Sequence, residues 1–146
     1  MTTLVEKLTA AEIRPKVVTA CVDLVDREVD GKSGLSGLAI KAGYKVVKTL
    51  KPGFVTGVVD TLLPEFAEAL TPIWEREGKD GADSFVRYVD GHTEEVADAL
   101  LQVTDARAGQ AKNATVKKTY ERLRPSAKQN VIAAVPNLAA TLRPFL

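Results

Sequence analysis

Apolar residues recur at three- and four-residue intervals along the chain, and no run alternates long enough to demand a strand. A short helix is expected after Thr2 or Thr3. Pro15 suits the first position of a second helix, which Gly31 ends. A third runs from about Ser33 to Lys51. After Gly53 a helix runs to about Leu62; Pro64 restarts it on a new axis, and it continues to about Glu77, with Pro72 kinking it. GKDG at 78–81 reads as a turn. Residues 82–106 form one long helix or a pair broken near Gly91. Asn113 can cap a helix to Arg124, Pro125 begins the next and Pro136 the last. The pattern predicts an all-α fold: a compact domain of six to nine helices over residues 1–146.

The prolines share a form. Ile13-Arg14-Pro15, Leu50-Lys51-Pro52, Leu123-Arg124-Pro125 and Leu142-Arg143-Pro144 each read apolar, basic, proline. A basic residue complements the negative end of a helix, and proline stops that helix and suits the first turn of the next. The first three are expected to be tight corners, and the fourth closes the chain. VVTACVD at 17–23 also resembles FVTGVVD at 54–60. EFAEAL at 65–70 resembles EVADAL at 95–100, and LPEFAEALTP at 63–72 resembles VPNLAATLRP at 135–144. These similarities suggest degenerate helical-hairpin repeats with a unit of about 35–40 residues. The competing reading is chance recurrence of Ala, Val, Leu and Glu in helices.

Composition narrows the class. Hydrophobic residues make up 45% of the 146 and aromatic residues only 5%, so Val, Leu and Ala must fill the core. One cysteine, Cys21, leaves no intramolecular disulfide and no multi-cysteine metal site. The first residues, MTTLVEKLTAAEIRP, lack the basic start and apolar run of a signal peptide. The longest uncharged stretch, Gln129 to Leu142, is too short to span a bilayer. A cytoplasmic location is expected.

The net charge of +1 is unevenly spread. Residues 1–51 carry +3, residues 52–105 carry −9 and residues 106–146 carry +7. Either the acidic middle packs beside the basic ends, or a basic face stays open to an anionic partner.

Gly31-Lys32-Ser33 raises the question of a phosphate loop. The first glycine of such a loop falls at Asp26, and three carboxylates occupy the segment where phosphates would sit. What precedes it is helix, not strand. Gly31 is better read as a helix terminator and Ser33 as a cap. The lysines that follow carry more. At 100° per residue, Lys41, Lys45 and Lys48 lie within about 60° of one another. Gly34 and Gly37 share that face, while Leu35, Ala39, Ile40, Ala42, Gly43, Val46, Val47 and Leu50 fill the opposite, core-facing side. Residues 106–130 add Lys117, Lys118 and Arg122 among seven basic groups against one acid, Glu121. These six side chains are the candidate partner-binding residues, for an acidic protein or an anionic membrane surface. The alternative is a solvated face. Nucleic acid is disfavoured, because Tyr120 is the only aromatic among them and reads as part of a core stripe with Val116 and Leu123.

No residue pattern proposes catalysis, a cofactor or a metal. His92 is the only histidine, in DGHTEE at a helix start, and Cys21 lies in the apolar run VVTACV. Asp90, Glu94 and Asp98 share helical spacing, as do Glu65 and Glu68, but paired Glu-x-x-His motifs are missing. A terminal stripe of Val131, Val135, Leu138, Leu142 and Phe145 offers a homo-oligomer interface through the C-terminal helix. Phe54, Phe66, Trp74, Phe85 and Tyr88 could line a ligand pocket, though at helical spacing they read as core.

GLSGLAIKAGYKVVKTLKPGFV, then LPEFAEAL, then VPNLAATLRPFL together resemble a small bacterial family of uncharacterised all-helical proteins. The resemblance implies an all-α fold along nearly the whole chain and transfers no activity. The expectation is therefore a non-enzymatic binding or scaffold protein. The alternatives are a self-associating structural protein and a small-ligand-binding helical domain or enzyme.

Overall fold

A computed structural model describes residues 3–32, 34–50 and 52–146. Among them are seven α-helices: α1 (Leu4–Thr9), α2 (Arg14–Asp30), α3 (Gly34–Leu50), α4 (Phe54–Glu77), α5 (Ala82–Gly91), α6 (Thr93–Gly109) and α7 (Ala114–Leu142). A short 3-10 turn, Arg143–Phe145, closes the chain. The fold is compact and all-α, and the described residues contain no strand.

The starts follow local chemistry. Thr3 caps α1 by accepting a hydrogen bond from the Glu6 amide at 3.0 Å. Pro15 sits in the first turn of α2. Asn113 caps α7 by accepting from the amides of Thr115 and Val116 at 2.9 and 3.2 Å. Gly53 turns the chain into α4 with φ of 79°, a left-handed conformation that glycine adopts without steric cost. Gly91 closes α5, so residues 82–109 form a helix pair. Thr2, Ser33 and Lys51 lie outside the described residues, as do the side chains of Leu35 and Leu50.

Two expectations fail for one reason. Pro64 does not restart a helix, and Pro125 and Pro136 do not begin new ones; α4 and α7 run straight through them. An interior proline removes one intrahelical bond and costs roughly 3 kcal/mol. Opposing that cost, α4 buries Leu62, Leu63, Ala67, Leu70 and Ile73, and α7 buries Val135, Ala139 and Leu142. Each large side chain is worth about 1.5–3 kcal/mol, so one continuous apolar face outweighs the breaks. Pro72, Pro125 and Pro136 are exposed. Pro64 is half-buried, and the carbonyl it frees belongs to Asp60. Arg14 of α2 supplies the missing donor: its Nη2 donates to Asp60 O at 2.6 Å and its Nε to Asp60 Oδ1 at 2.7 Å.

Every other α-helix packs against α4, α7 or both. Their shared core runs from Leu4 and Leu8 through Val17, Ala67, Phe85 and Val96 to Val135 and Leu142. Ala67, Ala97 and Ala139 are at most 2% exposed, the close approach that a core poor in aromatics implies. The similarity between 63–72 and 135–144 has a structural counterpart. Leu63, Ala67 and Leu70 are buried at the same spacing as Val135, Ala139 and Leu142. The prolines do not mark repeat units, however, because Pro52 stands at a corner while Pro125 lies inside a helix.

Arg14→Ala should therefore cost about 1 kcal/mol in urea denaturation, the ion-pair part being screened by solvent. In a Pro64→Ala background that cost should shrink, since residue 64 then donates its own N–H to the Asp60 carbonyl.

Candidate functional site

The charge blocks meet across helices. Arg14 pairs with Asp60, Arg107 with Glu65, Arg124 with Asp105 and Arg143 with Asp83. Lys128 reaches both Glu94 at 2.8 Å and Asp98 at 3.3 Å. Each of these contacts joins a basic end segment to the acidic middle. The Arg107 and Arg124 guanidinium groups are bidentate, at 2.8 and 3.0 Å each. The middle thus covers part of the basic surplus. Lys41, Lys45, Lys112, Lys117, Lys118 and Arg122 have no ion-pair partner within 4.0 Å among the described residues.

The expected lysine stripe divides. Lys41 and Lys45 are exposed. Lys48 is held by α2: its Nζ lies 3.3 Å from Asp26 Oδ1 and 5.2 Å from the centre of the Tyr44 ring. Tyr44 donates to the same Asp26 oxygen at 2.5 Å. That hydrogen bond, aided by Lys48, holds the Asp26 carboxyl below the usual carboxylate range. Burial first, and then Asp26, raise the Tyr44 phenol above its ordinary value.

The opposite side of α3 is only partly core. Ile40, Gly43 and Val47 turn inward, but Ala39 and Ala42 are exposed, Val46 is 47% exposed and Leu38 64%. At 100° per residue, Lys41, Lys45, Leu38, Ala42, Val46 and Ala39 follow one another around the outer face. Beyond Ala39 lies a groove of about 290 Å³ between α3 and the first half of α7. Gly43 sets its depth, because a Cβ there would stand 3.1 Å from Thr119 Cγ2. Lys118 and Arg122, four residues apart on α7, line the far wall. An exposed apolar strip thus lies between two pairs of unpaired cations. Lys117 points to the other side of α7, where it lines a separate cleft against α4 and α6. Of the six candidate residues, Lys118 and Arg122 line the α3–α7 groove, Lys41 and Lys45 lie on the outer face of α3, Lys48 is tied to Asp26, and Lys117 lines another cleft.

Tyr120 is not a plain core residue. Its hydroxyl donates to Asp105 Oδ1 at 2.5 Å and lies 2.9 Å from Thr104 Oγ1. Arg124, one turn on, holds the same carboxylate. The pattern repeats that of Tyr44, Lys48 and Asp26: a tyrosine, a cation four residues later and an aspartate on the preceding helix. Tyr88 similarly donates to Glu95, with Arg76 alongside. The Tyr-x-x-x-Lys and Tyr-x-x-x-Arg spacings were visible in the sequence; their aspartates required the fold.

The remaining candidates are absorbed by the structure. Cys21 is half-buried, and burial pushes its thiol up to about 11, away from the thiolate that nucleophiles and metal ligands need. His92 stacks on Tyr88 at 3.9 Å between ring centres, with Nδ1 2.9 Å from the Tyr88 carbonyl oxygen. No group of three or more His, Cys, Asp or Glu side chains fit to hold a metal occurs among the described residues. Trp74 and Phe85 pack edge to face at 5.2 Å in the core. Val135 and Leu142 are buried in the chain's own core, and Val131, Leu138 and Phe145 pack against it. Among the described residues no helix is long and apolar enough to cross a membrane.

The chain belongs to a family of unknown function, DUF6918, which it matches over residues 4–146. No curated protein and no solved structure matches it.

The Asp105 carboxyl is held below its ordinary range, first by Arg124 and then by Tyr120. A carboxyl titration by NMR should show its pKa rising in Arg124→Gln and less so in Tyr120→Phe. The stability this pairing supplies is fully present above the unfolded carboxylate value of about 3.9 and is lost as pH falls through the lowered folded value. The difference in urea stability between wild type and Arg124→Gln should accordingly narrow in acid.

Proposed function

We propose that this is a non-enzymatic cytoplasmic binding protein whose α3–α7 face docks an acidic amphipathic helix of a partner protein. The observation that carries this reading is the selective coverage of charge. Arg14, Arg107, Arg124, Lys128 and Arg143 of the end segments pair with the acidic middle, whereas Lys41, Lys45, Lys118 and Arg122 remain unpaired on either side of an exposed apolar strip. Small side chains along the groove, Ala39, Ala42, Gly43 and Thr115, let another backbone come close. Helix-in-groove recognition uses such a surface, with apolar anchors in the centre and charge at the edges setting orientation and association rate. An anionic bilayer is the other partner suited to cationic groups beside Leu38 and Val46, and the test separates the two.

The test combines Lys41→Glu, Lys45→Glu, Lys118→Glu and Arg122→Glu in one protein. None of the four side chains has an ion-pair partner to lose, so the melting temperature should stay within a few degrees of wild type. Wild type should bind a Glu/Leu-rich amphipathic peptide in fluorescence anisotropy, more weakly at high salt, and the variant should not. Binding to phosphatidylglycerol vesicles, without peptide binding, would assign the face to membranes. Peptide binding that the variant retains would remove the α3–α7 face from consideration.

A further inference from the structure

A second apolar concavity beside the first half of α7 is roomier than the α3–α7 groove. It is the cleft on the other side of the helix, between the start of α4, the end of α6 and the first turns of α7, with a volume of about 650 Å³. That is the size of a small-molecule site. Phe54, Val58, Leu62, Ala108 and Val116 contribute apolar surface to it. Two of its polar wall groups, Tyr120 and Thr104, are already engaged. Tyr120 donates to Asp105, and the one Thr104 hydroxyl proton serves either Tyr120 Oη at 2.9 Å or the Leu101 carbonyl at 3.1 Å. Those two hydroxyls therefore ask little of an occupant, and the wall around them is mainly apolar.

The rim makes a different demand. Arg107, Lys112 and Lys117 line the cleft, and no carboxylate does. Arg107 is neutralised by Glu65, but Lys112 and Lys117 have no ion-pair partner among the described residues. The N-terminal end of α4 also opens here, and its cap, Gly53, has no side chain to satisfy the first amides. An apolar trough closed at one end by unpaired positive charge fits a single-chain amphiphile with an anionic head.

Gly57 sharpens the assignment. A glycine inside a helix costs about 1 kcal/mol relative to alanine. Such a cost is usually explained by a neighbour that leaves no room for a Cβ, yet a Cβ at Gly57 would meet no atom within 4 Å. Gly57 lines the cleft, and what its missing side chain preserves is the cleft's open wall.

We infer that the α4–α6–α7 cleft binds a single-chain amphiphile bearing a terminal carboxylate or phosphate. The chain would lie along Phe54, Val58 and Val116, with the head at Lys112 and Lys117. This site is independent of the α3–α7 face and shares no lining residue with its groove.

The experiment uses the fluorescent fatty acid 11-(dansylamino)undecanoate, displaced in turn by laurate, dodecyl phosphate and uncharged dodecanol. Wild type should bind the probe, and laurate or dodecyl phosphate should displace it at least about tenfold better than dodecanol. Whichever of the two anions competes better names the head group. Gly57→Leu should melt at or above the wild-type temperature, because leucine is the better helix former and its Cβ meets no atom within 4 Å, and should still lose about tenfold or more in affinity. Lys112→Gln with Lys117→Gln should narrow the preference for laurate over dodecanol. No probe binding by wild type would overturn the inference. So would full binding by a folded Gly57→Leu, which places the probe elsewhere, or equal displacement by dodecanol, which removes the anionic head.

Discussion

The other α-helices rest on α4 and α7, and both can serve because they stay continuous through interior prolines. In α4, Leu63, Ala67 and Leu70 form one buried face on either side of the break at Pro64, and Ile73 continues it past Pro72. Were α4 to turn at Pro64, α1, α2 and α6 would lose a common surface. The orphaned Asp60 carbonyl is where this constraint becomes visible. Its donor comes from Arg14, at the first position of the helix that must lie alongside. Backbone satisfaction in one helix thus places the start of another.

Charge is distributed by the same economy. The chain is divided into basic, acidic and basic blocks, and helix packing folds the ends over the middle. Exposed ion pairs contribute little stability individually, so this arrangement does not hold the core together. Its effect is on the surface. Pairing removes Arg14, Arg107, Arg124, Lys128 and Arg143 from the free positive charge. Four of the unpaired cations lie around the first half of α7, with Lys118 and Arg122 lining one cleft and Lys112 and Lys117 another. The tyrosines act between these levels. Tyr44 and Tyr120 each share an aspartate of the preceding helix with a cation of their own helix, so α3 is tied to α2 and α7 to α6.

Helical periodicity, caps and glycine turns determined much of the secondary structure from the sequence alone. The boundaries at Thr3, Pro15, Gly31, Gly53, Gly78, Gly91 and Asn113 follow from local rules, since each concerns a few adjacent backbone groups. Proline was the exception. Locally it argues for a break, and only the apolar area buried by distant helices shows that α4 and α7 continue. The candidate site was half legible for a similar reason. Helical spacing identified the Lys41 and Lys45 face and the basic run that contains Lys118 and Arg122. It could not reveal that Asp26 engages Lys48, that Lys117 and Lys118 line different clefts, or that Ala39, Ala42 and Val46 stay exposed.

The sequence by itself therefore determined the class of fold, most helix starts and the segregation of charge, because these depend on neighbours within a turn or on totals along a segment. Tertiary structure alone decided which prolines interrupt a helix, which cations are neutralised and where apolar walls enclose space. Those outcomes depend on side chains from different helices, as with Arg14 and Asp60, 46 residues apart, or Arg107 and Glu65, 42 apart, whose meeting is set by packing rather than by local preference.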